Sequence, residues 1–149
     1  MKSTTGYFFT LMTGVSLLLC VVPLFGISQT KKTGIRFFSG DWKEVLIEAK
    51  RENKAIFFDA YASWCGPCKT MDSLVYTDPK AAAYFNKRYI CFRIDMEKGE
   101  GPDLAKKYPS IDGYPSLLFF GSDGRLIKTI LGSRTATVLV AEAKYALLN

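Results

Sequence analysis

Histidine is absent from the 149-residue chain. That absence excludes a Cys-His or Ser-His-Asp nucleophile system, an imidazole proton shuttle and any metal site that needs imidazole. Proton handling falls to Asp, Glu, Lys, Tyr or Cys. Low-complexity tracts and long runs of one charge sign are also missing, and 48% apolar with 23% charged residues is the balance of a folded domain. The length suits one such domain. A formal charge of +6 invites a nucleic-acid partner, but the bases are scattered, with no run longer than pairs such as Lys31-Lys32 and Lys87-Arg88. They describe a solvated basic surface, and no nucleic-acid partner is expected. Cysteine is scarce. Of the four, Cys20 lies in an apolar N-terminal segment, and Cys65 and Cys68 stand too close together to staple a fold.

Residues 1–28 begin with Lys2, continue through an apolar stretch densest at Leu17–Val22, and end in Gly26-Ile27-Ser28. That is the order of a secretory signal peptide, with small residues two apart at the cleavage point and a mature chain starting at Gln29. Removal of Lys2 would leave a formal charge of about +5. The 21 residues from Tyr7 to Ile27 are also long enough to cross a bilayer of about 30 Å as an uncleaved anchor, although Thr10, Ser16 and Pro23 dilute them. Leu17-Leu18-Leu19-Cys20 resembles a lipoprotein box but carries Leu19 where a small residue belongs. Export in some form is the expectation, with membrane association only if the leader is retained. Residues 29–40 form an N-terminal extension and residues 41–149 the domain.

Within the domain, Asp41 can cap a helix that places Trp42, Val45, Leu46 and Ala49 on one face. Ala55-Ile56-Phe57-Phe58 is a short continuous apolar run, as in a strand covered on both faces. A helix carrying Lys69, Met71 and Leu74 follows the cysteine pair. Asp78-Pro79 opens another helix, ending near Lys87, because Pro at the first helical position loses only an unpaired N–H. Residues 89–95 are a second strand, and residues 97–102 form a loop that feeds a short helix around Leu104. Leu117–Phe120 and Leu126–Leu131 flank the turn residues Gly121-Ser122-Asp123-Gly124, the pattern of a hairpin. A last helix from Thr135 would bury Val138, Ala141, Tyr145 and Leu148. The sum is an α/β fold with a central mixed sheet and helices on both faces.

A Cys-x-x-Cys pair after a strand and at the start of a helix places its first sulfur beside unpaired backbone N–H groups, where the Cys65 thiolate is favoured. Cys68, one turn on, can then resolve a mixed disulfide at Cys65. Pro67 sits in the first turn without harm, and Gly66 lets another chain approach. A structural zinc ligand pair and a purely structural short-loop disulfide are the alternatives.

Trp64-Cys65-Gly66-Pro67-Cys68-Lys69 resembles the thioredoxin active-site motif residue for residue. The likeness extends from about Trp42 to the C-terminus, through Asp59, six residues before Cys65, to Gly113-Tyr114-Pro115-Ser116 and the glycines Gly124 and Gly132. The opening helix and the Gly113-Tyr114-Pro115 segment are most similar to the exported branch that includes the C-terminal domain of the periplasmic disulfide-interchange reductase. The resemblance implies a thioredoxin fold and a thiol–disulfide oxidoreductase with Cys65 and Cys68 as its redox-active, catalytic disulfide. It implies that Asp59 is a buried carboxyl trading the Cys68 proton, and that Pro115 is cis. Trp64, Gly66, Pro67, Tyr114 and Pro115 would form the substrate-binding rim. Neither a metal nor an organic cofactor is implied. The expected partners are disulfide-containing proteins and a membrane protein that supplies electrons to the periplasmic side. A disulfide oxidase or isomerase, or a chaperone-like binding module, are the other readings. Cys91 departs from the pattern, since cytosolic thioredoxins carry a lysine there, and is expected to be a buried, inert thiol.

Overall fold

A computed structural model describes residues 34–148. The leader, its cleavage point and Cys20 lie outside those residues. Helix α1 (Trp42–Glu52) begins as expected at Asp41, whose carboxylate accepts from the Glu44 N–H while the Glu44 side chain accepts from the Asp41 N–H, a reciprocal cap that satisfies two otherwise unpaired donors. Strand β1 (Ala55–Tyr61) follows, then α2 (Gly66–Thr70), a π-helical turn (Met71–Val75) and α3 (Pro79–Arg88). Asp78 caps α3 through the Lys80 and Ala81 N–H groups. Strand β2 (Tyr89–Asp95), helix α4 (Gly101–Lys107), strands β3 (Ser116–Phe120) and β4 (Leu126–Leu131), and helix α5 (Ala136–Ala146) complete the order.

The four strands lie in the order β2-β1-β3-β4, with β1 parallel to β2 and antiparallel to β3, and β4 antiparallel to β3. This is the expected mixed sheet. Side chains alternate between its faces. Ile56, Phe58 and Ala60 point toward α1 and α4 and pack with Trp42, Val45, Phe92, Leu104, Leu118 and Phe120. Phe57, Cys91, Leu117 and Phe119 face the other way, under Met71, Tyr76, Phe85, Leu139 and Ala143. Burial of both faces explains why β1 reads as a continuous apolar run rather than an alternating one.

Residues 35–38, in the expected extension, run beside β2. The Ile35 N–H donates to the Tyr76 carbonyl at 2.7 Å and the Phe38 N–H to the Cys91 carbonyl at 2.7 Å, while Ile35 itself is buried in the core. Gly34, at φ +121°, passes so close to the Tyr76 carbonyl that a Cβ would stand 2.9 Å from it.

Helix α5 corrects the sequence reading. Val138, Ala141, Tyr145 and Leu148 are exposed, and Leu139, Ala143 and Ala146 are the residues buried against the sheet. Both sets have helical spacing, and the helix is apolar on nearly every side. Periodicity alone therefore does not choose the face.

Candidate active site

The cysteine pair sits where β1 delivers the chain to α2. Cys65 and Cys68 are disulfide-bonded, with Cα atoms 5.3 Å apart, and the Cys68 N–H donates to Cys65 Sγ at 3.1 Å. Cys65 is the N-cap of α2, and Pro67 occupies its first turn as the sequence led us to expect. The sulfurs are sheltered, both cysteines being 2% exposed, and they pack with Ala62, Tyr61 and Tyr114. Gly66 and Pro67 between them are exposed, and a Cβ on Gly66 would meet nothing within 4 Å. The disulfide is thus sheltered, while the first turn of α2 between the two cysteines is open to solvent.

Trp64 stands out from the surface at 66% exposure. Its indole N–H donates to both carboxylate oxygens of Glu97 at 3.0 Å, and its ring meets Tyr114 edge to face at 5.9 Å. The sequence reading did not anticipate Glu97. It lies just beyond β2, and its own N–H donates to the Asp95 carboxylate at 3.1 Å, which ties the loop to the strand end. Tyr114 and Pro115 precede β3, beyond the last β1–β3 pair at Ala60 and Ser116, and the peptide between them is cis. The Pro115 carbonyl accepts from the Gly132 N–H at 2.8 Å, and Gly132 adopts φ +84° there.

Asp59 lies on β1, six residues before Cys65. Register sets it opposite Arg93 on β2 and Leu117 on β3, on the face that also carries Met71 and Tyr76 of the segment following Cys68. It is 1% exposed, and burial pushes its carboxyl up from 3.8 to about 6, against the pull of the Arg93 guanidinium and the Tyr76 hydroxyl. Arg93 Nε lies 3.4 Å from Asp59 Oδ2, and Arg93 Nη1 reaches Asp72 Oδ1 at 2.6 Å. At position 91, where cytosolic thioredoxins carry a lysine, this chain has a thiol. The structure places the cation two residues on, at Arg93, where strand alternation returns it to the same face. Cys91 is free and buried, and burial drives its thiol pKa upward.

A sheltered disulfide at a helix start, an aromatic rim and a buried carboxyl on the strand that leads into that helix together make this a thiol–disulfide oxidoreductase with a thioredoxin fold. The chain belongs to the thioredoxin-like family, whose profile matches residues 38–122. It is 31% identical to thioredoxin of Buchnera aphidicola over 99 residues, which is 66% of this chain and 82% of that protein. It is 29% identical to the thiol:disulfide interchange protein DsbD of Pseudoalteromonas atlantica over 104 residues, 69% of this chain and 17% of DsbD. The chain therefore spans less than a fifth of that relative. Among solved structures, a candidate disulphide-isomerase from Bacteroides thetaiotaomicron superposes with a TM-score of 0.68 at 38% identity, covering 77% of this chain and 94% of the other.

Proposed function

We propose that the protein reduces disulfides of protein substrates outside the cytoplasm. The observation that carries this is the Cys65–Cys68 pair at the start of α2, with an open Gly66-Pro67 tip between sheltered sulfurs. In the reduced protein, the Cys65 thiolate, favoured by the free N–H groups of the first helical turn, attacks one sulfur of a substrate disulfide. The substrate S–S bond breaks, one substrate thiolate leaves, and a mixed disulfide forms at Cys65. Cys68 then gives up its proton and attacks Cys65 Sγ, releasing the second substrate thiolate. Two electrons pass from the dithiol to the substrate, and the protein is left as the disulfide seen here.

Asp59 is the proton acceptor for Cys68. A carboxyl held at about 6 is mostly ionised at neutral pH yet basic enough to take a proton, a match that an ordinary aspartate lacks. Trp64 and Tyr114 form an apolar wall beside the sulfurs, and Pro115 leaves the adjoining backbone beyond the β1–β3 ladder, where an extended substrate segment can lie.

Reduction as the direction rests on Gly66-Pro67, the pair found in reducing members whose potentials lie at about −270 mV. The oxidised protein must then be recharged by a dithiol donor, which for an exported protein is a membrane protein that carries electrons across; the shared segment with DsbD supports that reading. Equilibrating the full chain against glutathione buffers tests the direction. A potential in the reducing range is expected, and one close to the strong oxidants, at about −120 mV, would reverse the assignment. Isomerisation is a second reading, favoured by the likeness to the Bacteroides thetaiotaomicron protein. It predicts refolding of a scrambled disulfide protein at a rate that Cys68→Ala retains.

A further inference from the structure

Arg93 leaves β2 between two carboxylates of opposite surroundings. Asp59 on one side is 1% exposed, whereas Asp72 on the other has 41% of its side chain in water. The guanidinium is braced by the Tyr61 ring, 4.3 Å from its carbon, with Phe37 and Tyr76 at 5.3 and 5.7 Å. Its contacts are unequal. The 2.6 Å bond goes to Asp72, while the approach to Asp59 is 3.4 Å and leaves Asp59 Oδ1 and Arg93 Nε without a hydrogen bond among the described residues. A cation so divided acts strongly on the buried carboxylate, because their attraction is little screened in apolar surroundings. What it lends to Asp59 depends on what Asp72 takes.

We propose that Arg93 is a positioning residue for Asp59, and that Asp72, through the shared guanidinium, sets from the surface how readily Asp59 accepts the Cys68 proton. The proposal rests on the reading of Asp59 as proton acceptor. Besides Cys68, whose proton Asp59 is proposed to take in the reduced protein, the titratable groups around Asp59 are Arg93 and Cys91 from β2, Tyr76 and Asp72 from the segment after α2, and Tyr61 from its own strand; its partner on β3 is the apolar Leu117. Burial keeps the Cys91 thiol and the Tyr76 hydroxyl protonated through the working range, so Arg93 and Asp72 supply the charge. They act in opposite senses, Arg93 favouring the ionised carboxyl and Asp72 opposing it.

The two substitutions must therefore shift Asp59 in opposite directions, which general damage to the fold does not do. The test is a carboxyl NMR titration of the oxidised full chain, with the Asp59 signal assigned by its loss in Asp59→Asn. Alongside it, the pH profile is measured for resolution of a Cys65–glutathione mixed disulfide in the reduced protein. Arg93→Met should raise the Asp59 midpoint by about one unit or more, Arg93→Lys should recover most of that shift, and Asp72→Asn should lower the midpoint. The resolution profile should move with each. Asp72→Asn, a change at the surface, carries the test if Arg93→Met does not fold. Midpoints that stay put, or that move the same way in Arg93→Met and Asp72→Asn, overturn the proposal. Opposite shifts in the titration with a stationary resolution profile would instead overturn the proton-acceptor role of Asp59 while leaving the shared cation standing.

Discussion

Replacing Asp59 with Asn removes an ionisation that the fold opposes, and the consequence for stability can be worked out with its sign. Burial lifts the carboxyl from 3.8 to about 6. Between those values the native protein holds a proton that the unfolded chain has released, so stability falls as pH rises through the window. Below it the group is neutral in both states and costs nothing. Above it the full penalty applies, about 3 kcal/mol for a shift of this size. The amide of Asn is neutral throughout. It leaves a buried polar group short of partners, at a cost of roughly 1–3 kcal/mol that does not depend on pH. The absolute offset between the two proteins is therefore uninformative, and the change in that offset is the test. Urea unfolding of the oxidised proteins, followed by tryptophan fluorescence from pH 3.5 to 8, should show Asp59→Asn gaining about 3 kcal/mol relative to the parent across the range. Parallel stability curves would refute the reasoning. They would mean that Arg93 offsets the burial of Asp59 completely.

Other consequences follow from the site and the core. Asp59→Asn should slow resolution of a mixed disulfide by about a hundredfold or more while leaving attack by Cys65 nearly intact, a split that stopped-flow measurement of the two steps reads directly. Glu97→Ala frees the Trp64 indole and should raise KM for a protein disulfide about three- to tenfold with kcat little changed; an equal fall in both kcat and kcat/KM would assign Glu97 a different role. In α5, Leu139→Ala should cost about 2–5 kcal/mol in urea unfolding and Val138→Ala less than about 0.5 kcal/mol. The reverse order would contradict the face assigned to the helix.

The parts of the fold that were legible in the sequence are those decided by local chemistry. Asp41 before Trp42, Asp78 before Pro79 and the glycine-bounded turn at 121–124 each carry their own reason, and each element begins or turns there. What escaped depends on distant groups. Only the apolar run Ala55–Phe58 marks the strand locally, whereas β1 continues through Asp59 to Tyr61, paired with Arg93, Ile94 and Asp95 of β2. Arg93 itself was visible as a charge inside an apolar strand, but its target required the register between β1 and β2, which no local pattern reveals. Glu97 looked like one more loop acid until Trp64 was placed beside it. The buried face of α5 was undecidable for a different reason, since apolar residues occupy both candidate stripes and only the sheet beneath selects one.

The central claim is that Cys65 attacks and Cys68 resolves. Its most direct measurement is mass spectrometry of Cys68→Ala after exposure to a protein disulfide, with Cys65→Ser as the parallel sample. Cys68→Ala should accumulate a mixed disulfide at Cys65 that dithiothreitol removes, and Cys65→Ser should form none at Cys68 on the same timescale and should not reduce insulin. A Cys65→Ser protein that retains turnover, or an adduct that builds up on Cys68 instead, would contradict the account.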